Sequence, residues 1–177
     1  MQSPVIWLTG IPASGKTTIA ALLMDYYKQK NLPVDILDGD EIRKTLSSDL
    51  GFSEKDRKEH NRRVIFVAKL LSKNGVTVII PLISPYRETR EFARKELPNF
   101  IEVWVKASVE ECKKRDPKGL YKKALVGEIK NLTGLQAPYE EPKNPELIID
   151  TEKQTPQESL EMILSKLKEL KVLEINH

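Results

Sequence analysis

The chain has 177 residues, 40% of them hydrophobic and 31% charged, and a formal net charge of +3. That length suits one domain with a full hydrophobic core, and that composition excludes an intrinsically disordered chain. No apolar run is long enough to span a bilayer, and the basic excess is too small, and too interleaved with Glu, to mark a nucleic-acid surface.

Short apolar runs alternate with amphipathic stretches along the chain. PVIWLT at 4–9 reads as a buried strand and 15–30 as a helix; PVDIL at 33–37 is a second strand, followed by a long helical pattern over 53–74. VTVIIPLI at 76–83 has the continuous apolar character of a central parallel strand, and 86–96 is helical again. FIEVWVK at 100–106 is a strand, 108–114 a short helix, ELIID at 146–150 the last strand, and 156–170 an amphipathic helix. Trp7 and Trp104 fall in strands and read as core. The alternation predicts a single α/β domain over 1–177, three layers deep (α/β/α), with a central parallel sheet covered on both faces. Residues 115–144 break the rhythm: they are rich in Pro, Gly and Lys and show no clear strand. A stretch that long inside a compact domain is usually functional, so it is expected to be an active-site lid.

Met1 leads straight into VIWLTG without a basic region or cleavage site, and the one cysteine, Cys112, permits no internal disulfide. Both point to the cytoplasm. Cys112 is expected to pack rather than react, and His177 is terminal.

Gly10-Ile11-Pro12-Ala13-Ser14-Gly15-Lys16-Thr17 follows the first strand and opens the first helix. It matches the phosphate-binding loop G-x-x-x-x-G-K-[ST] in the required context. The two glycines let the backbone turn its N–H groups inward on phosphate oxygens, and the helix presents its positive end to the same anion. Lys16 adds a mobile charge for the outer phosphates, and the Thr17 hydroxyl is placed to ligate Mg²⁺. Residues 10–18, including Thr18, are therefore the expected ATP cradle, in a fold of the P-loop NTPase class. No N-K-x-D guanine reader is visible, and VTVIIPLI ends without an Asp, which disfavours a switch GTPase and a motor. The metal carboxylate must then come from elsewhere, and Asp38 and Asp40 are the nearest candidates.

Asp38-Gly39-Asp40 follows the second strand, at the sheet end where α/β folds bind ligands. Two carboxylates around a glycine can hold a metal-bound water or take a proton from an attacking hydroxyl; a turn with an Asp helix cap is the plainer use of the same residues. Arg43, Arg57, Arg62 and Arg63 lie close together with Asn61, and Arg57 and Asn61 share a helix face. Arg forks suit sulfate or phosphate, and Phe52 is either core or a stacking surface for a base.

The blocks DGDEIRKTLSSDLGFSEKDRKEHNRR, ISPYRETR, KRDPKGLYKKA and GEIKNLTGLQAPYEEP, in this order behind GIPASGKTT, closely resemble adenylylsulfate kinase over residues 5–151. The resemblance implies transfer of the ATP γ-phosphate to the 3′-hydroxyl of adenosine 5′-phosphosulfate (APS), giving PAPS in sulfate assimilation, with Mg²⁺ held by Thr17 and Asp38. It implies catalytic roles for Lys16, Asp38, Asp40 and Ser84. It places Arg43, Phe52, Arg57, Asn61, Ile83 and Ser84 around the acceptor, beside the two Asp, with Lys118 on the lid side and Arg115 near the ATP adenine. Family descriptions treat Ser84 as a phosphorylated intermediate; direct in-line attack needs none. The family also implies a homodimer and a functional link to an ATP sulfurylase on a separate chain, with no nucleic-acid or membrane partner. The sequence departs from the pattern at His60, at Leu125, where Arg is expected, and at Leu132, where Phe is expected to sandwich the acceptor adenine with Phe52. Losing one stacking face is expected to cost about 1 kcal/mol of acceptor binding. His60 is expected to be a surface or core histidine. The competing readings are a P-loop kinase for another small acceptor and a nucleotide-binding regulator without turnover.

Overall fold

A computed structural model describes residues 2–173; His177 lies outside the described residues. The five strands found among them pair in parallel in the order β2-β3-β1-β4-β5. These are β1 (Val5–Thr9), β2 (Val34–Ile36), β3 (Thr77–Pro81), β4 (Phe100–Lys106) and β5 (Leu147–Asp150). β1 and β3 are buried at every residue, as the apolar runs VIWLT and TVIIP require of central parallel strands. β1 lies in register between β3 and β4, with Val5 opposite Val78 of β3 and opposite Phe100 of β4. The chain leaves β1 for one edge and later returns to its other side. The strand order therefore reverses beside β1, and ligands gather outside the carboxyl ends of strands at such a reversal.

The helices cover both faces, as the sequence pattern predicts. On one, α1 (Lys16–Gln29) and α7 (Pro156–Glu169) bury Leu23, Ile163 and Leu167 against Ile6, Leu8 and Ile149. On the other, α3 (Glu54–Lys73) and α4 (Arg87–Glu96) bury Val64, Ala68 and Ala93 against Val5, Trp7 and Ile80. Truncating one such side chain, as in Leu23→Ala, is expected to cost about 2–5 kcal/mol. Ser53 caps α3 by accepting from Asp56 N, and Thr155 and Glu158 form a capping box on α7. α1 differs: it starts from Gly15 at φ 105° with no side-chain cap, which leaves its first N–H groups to an outside acceptor.

Three features depart from expectation. The short helix α2 (Gly39–Lys44) follows Asp38, whose side chain caps it. After α5 (Val109–Arg115), the stretch 115–144 is not featureless: it holds α6 (Leu120–Leu125) and a bridge between Thr133 and Ala137. Trp7 is fully buried, but Trp104 is not core. It is half-buried in the wall of a second hollow beside residues 134–139, with the Lys106 ammonium 5.4 Å from its ring centroid.

Candidate active site

The phosphate loop is shaped by its own backbone. A Cβ on Gly10 would sit 2.3 Å from Val105 O, so only glycine fits against β4, and Gly15 needs the left-handed region at φ 105°. Ala13, at φ 64°, also takes that region. Ser14 is fully buried. Lys16 is buried inside the loop, where Nζ donates to Gly10 O at 2.8 Å, Ile11 O at 2.7 Å and Ser14 Oγ at 3.3 Å. Burial pushes its ammonium down to about 7, with Lys118 nearby adding to the effect and Cys112 and Asp40 opposing it. Thr17 and Thr18 are exposed at the start of α1. Thr151 braces the loop from outside: its Oγ1 donates to Ser14 O at 2.9 Å and accepts from Arg115 Nη1 at 2.9 Å. Arg115 also donates to Thr151 O at 2.9 Å and pairs with Glu111 at 3.1 Å. The guanidinium is thereby held beside the open end of the loop.

One cavity of about 780 Å³ runs from Thr17, Thr18 and Arg115 to Arg43, Phe52 and Arg57. Asp38 and Asp40 line it, as do Pro12, Ala13, Lys118 and Leu132. Asp38 is a helix cap and more. Its Oδ1 accepts from Asp40 N at 2.9 Å and Glu41 N at 3.1 Å, while Oδ2 takes no hydrogen bond among the described residues. Asp40 Oδ2 meets Lys118 Nζ at 2.5 Å, so α2 is tied to the 115–144 stretch by an exposed ion pair. Phe52 is not core: its ring is 65% exposed at the cavity wall, with the Arg43 guanidinium 4.6 Å from its centroid. Arg57 bridges α3 and the 115–144 stretch, donating to Phe52 O at 2.9 Å, to Asn131 O at 2.7 Å and to Thr133 Oγ1.

Ile83 and Ser84 line the cavity wall beyond β3. Ser84 takes a left-handed turn at φ 44° and is 2% exposed. Its Oγ accepts from Trp7 Nε1 at 3.1 Å and donates to Asn61 Oδ1 at 2.8 Å, and Asn61 Nδ2 donates to Arg57 O at 2.7 Å. From beneath, buried Arg90 donates to Ser84 O and pairs with Glu102 at 2.8 Å. The Ser84 hydroxyl is therefore a link in a buried hydrogen-bond chain, with an amide oxygen rather than a base accepting its hydrogen bond.

Comparison with known proteins gives these residues their setting. The family model for adenylylsulphate kinase matches residues 2–150. The chain belongs to the adenylylsulphate kinase family. The probable adenylyl-sulfate kinase of Pyrococcus abyssi is 53% identical over 170 residues, 96% of this chain and 98% of that protein. The solved structure of the Mycobacterium tuberculosis APS kinase in complex with AMPPNP and APS is similar at a TM-score of 0.91 and 39% identity, covering 94% of this chain and 98% of that one. A probable bifunctional SAT/APS kinase of Sorangium cellulosum is 46% identical over 96% of this chain, which matches only 29% of that protein.

Against this adenylylsulphate kinase pattern, the expected Arg cluster splits. Arg43 and Arg57 line the cavity, but Arg63 turns away to Asp49 at 2.6 Å and Glu59 at 3.2 Å, and Arg62 lies over exposed Phe92 at 5.7 Å. Arg43 lies on α2, and Arg62 and Arg63, five and six residues beyond Arg57 on α3, fall on other sides of that helix at 3.6 residues per turn. Of the departures, Leu125 is 67% exposed, whereas Leu132 is 7% exposed and packs with Ile11, Tyr121 and Ala124. His60 is 3% exposed, as a core histidine would be, but it also lines the cavity. Its Nδ1 meets Ser47 Oγ at 3.0 Å, and its Nε2 is buried without a partner among the described residues. Burial, then Arg43 and Arg63, pull its pKa down to about 4, so it is neutral at pH 7. The sequence reading missed Thr133, Thr151 and the Arg90–Glu102 pair, whose partners are distant in the chain.

No group of three His, Cys, Asp or Glu forms a ready metal cluster among the described residues. The hard oxygen donors Thr17 Oγ1 and Asp38 Oδ2 on the cavity wall fit Mg²⁺, which takes few protein ligands and shares phosphate oxygens. No helix is long and apolar enough to cross a membrane among the described residues.

Proposed function

We propose that this protein transfers the γ-phosphate of ATP to the 3′-hydroxyl of adenosine 5′-phosphosulfate, giving PAPS. The observation that carries this reading is one cavity joining the phosphate loop to an Arg43–Phe52–Arg57 wall, with Asp38 and Asp40 lining it as well. The loop N–H groups and Lys16 hold the triphosphate, and Arg115 lies on the base side. Phe52 offers its exposed ring to the acceptor adenine. Arg43 and the spare donors of Arg57 meet the phosphosulfate. His60 Nε2 is a further polar group available to the acceptor.

Thr17 and Asp38 would hold Mg²⁺, which when bound would neutralise charge on the phosphate oxygens. Asp40 takes the proton of the attacking hydroxyl, for which Lys118 must release it. Lys16 moves from the loop carbonyls to the transferring phosphate, where its charge is stabilised. Ser84 positions Asn61 and the cavity wall and is not phosphorylated, because its hydroxyl donates to Asn61 Oδ1 and no base adjoins it among the described residues. The acceptor is a mixed anhydride of AMP and sulfate, so an adenylyl transfer to sulfate must supply it. A separate sulfurylase chain, a homodimer and a cytoplasmic location fit this reading.

The test is transfer of labelled γ-phosphate from ATP, with Mg²⁺, to APS, AMP and shikimate in parallel. Labelled PAPS from APS alone is expected. Transfer to another acceptor instead would mean a different kinase, and ATP binding without any transfer would mean a regulator.

A further inference from the structure

Residues 131–134 touch both halves of the cavity at once. On the acceptor side Arg57 grips them, through Asn131 O at 2.7 Å and through Thr133 Oγ1. Thr133 is 1% exposed, and its hydroxyl accepts that bond inside the protein. On the ATP side the same turn is seated on the phosphate loop. Gly134 has φ 86°, and a Cβ there would lie 2.8 Å from Ile11 Cγ2 and 3.3 Å from Ile11 Cβ. Leu132 packs on Ile11 as well, and Tyr121 of α6 donates to Pro12 O at 3.0 Å. The turn is internally braced: Gly134 N donates to Ala137 O at 2.8 Å and Gln136 N to Leu132 O at 2.9 Å.

We infer that the Asn131–Gly134 turn is a strut that sets Arg57 from the phosphate loop, with Thr133 and Gly134 as positioning residues for acceptor binding. Arg has five N–H donors in a fixed fork. Three of them are spent on Phe52, Asn131 and Thr133, which fixes the guanidinium plane and leaves two for an anion. The height of the turn above Ile11 is set by the missing Cβ of Gly134. Nucleotide occupancy that shifts Ile11 therefore shifts the plane of Arg57, and by linkage the acceptor shifts nucleotide affinity by the same factor. This rests on the reading that the Arg57 side receives APS.

The test uses Thr133→Val and Gly134→Ala in the full chain. It reads the KM of each substrate, and the affinity for ADP by calorimetry with and without saturating APS. Thr133→Val, close to isosteric, is expected to raise the KM for APS about tenfold, the worth of one bond to a charged donor. The KM for ATP should change less than about twofold. Both variants should bring the ADP affinity ratio, with APS over without, toward one. Equal shifts in both KM values, or an unchanged ratio in Thr133→Val, would overturn the strut. If Gly134→Ala does not fold, Thr133→Val decides alone. A wild-type protein that makes no PAPS would sink the proposed function and the strut with it; one that makes PAPS while Thr133→Val behaves like wild type sinks only the strut.

Discussion

The phosphate loop and the acceptor wall are held together in opposite ways. The loop is local: Lys16 reaches Gly10, Ile11 and Ser14, which lie 6, 5 and 2 residues away. It is also buried, and backbone geometry shapes it. The acceptor wall is assembled by side chains from remote segments: Arg57 to Asn131 spans 74 residues and Lys118 to Asp40 spans 78. Several of its groups are exposed, including Phe52, Asp40 and Lys118. The difference shows how one fold serves many acceptors. The donor cradle comes with a strand–loop–helix unit, while the acceptor wall is a set of long-range ties that can be exchanged without disturbing it.

The comparison breaks most sharply at Lys16. Lys16→Met should lower kcat about 10³-fold by removing a charge from the transition state. It should nonetheless stabilise the fold, because a desolvated ammonium is removed. The folded pKa, about 7, lies below the ordinary 10.5, so the native state binds fewer protons than the unfolded chain between those values. Wild-type stability thus rises with pH across that window, and the variant's advantage should be greatest below pH 7 and shrink above it, read by urea unfolding from pH 6 to 9. A constant gap would contradict the buried-charge account.

On the acceptor wall, Asp40→Asn should lower kcat about 10²-fold or more if Asp40 is the general base, with the KM for ATP little changed. A normal kcat would remove Asp40 from proton transfer.

Ser84→Ala leaves Trp7 Nε1 and Asn61 Oδ1 without partners and should cost about 1–3 kcal/mol of stability. The variant should still form PAPS, at a reduced rate; complete loss of transfer in a folded Ser84→Ala would revive the covalent role.

The smallest effect belongs to His60. Its pKa, lowered from 6.5 to about 4, makes the folded state resist protonation. Stability from this source is complete above pH 6.5 and is lost as pH falls toward 4. Melting temperatures between pH 7 and 5 should therefore fall more steeply in wild type than in His60→Gln. Parallel slopes would place the acid sensitivity elsewhere.

The sequence made the sheet, the layers and the cradle legible because each is written in local periodicity or in eight contiguous residues. Gly10 and Gly15 could be assigned from spacing, and the structure shows the clash with Val105 O that demands the first and the φ of 105° that favours the second. The acceptor wall was legible only as blocks of a family pattern. Nothing in the spacing says that Arg57 and Arg43 face inward while Arg62 and Arg63 do not, because that depends on the rotation of α3 against the sheet. Ser84 stood in the family pattern as an active-site residue with no stated partners, and those partners, Trp7 and Asn61, lie 77 and 23 residues away. Trp104 read as core from its strand, yet sheet position alone cannot say which strand faces are covered. Leu132 read as an aliphatic residue in place of a stacking Phe, and it lines the cavity while packing mostly against Ile11, a contact that no local spacing announces.

The most direct test of the central claim is a rapid-quench time course with γ-labelled ATP, APS and wild-type enzyme in excess. The account predicts that label passes from ATP to PAPS in one exponential phase, with no protein-bound phosphate at any time. A phosphoprotein that forms and decays at the rate of PAPS appearance would contradict direct transfer between the two halves of the cavity, and label that never reaches PAPS would contradict the function itself.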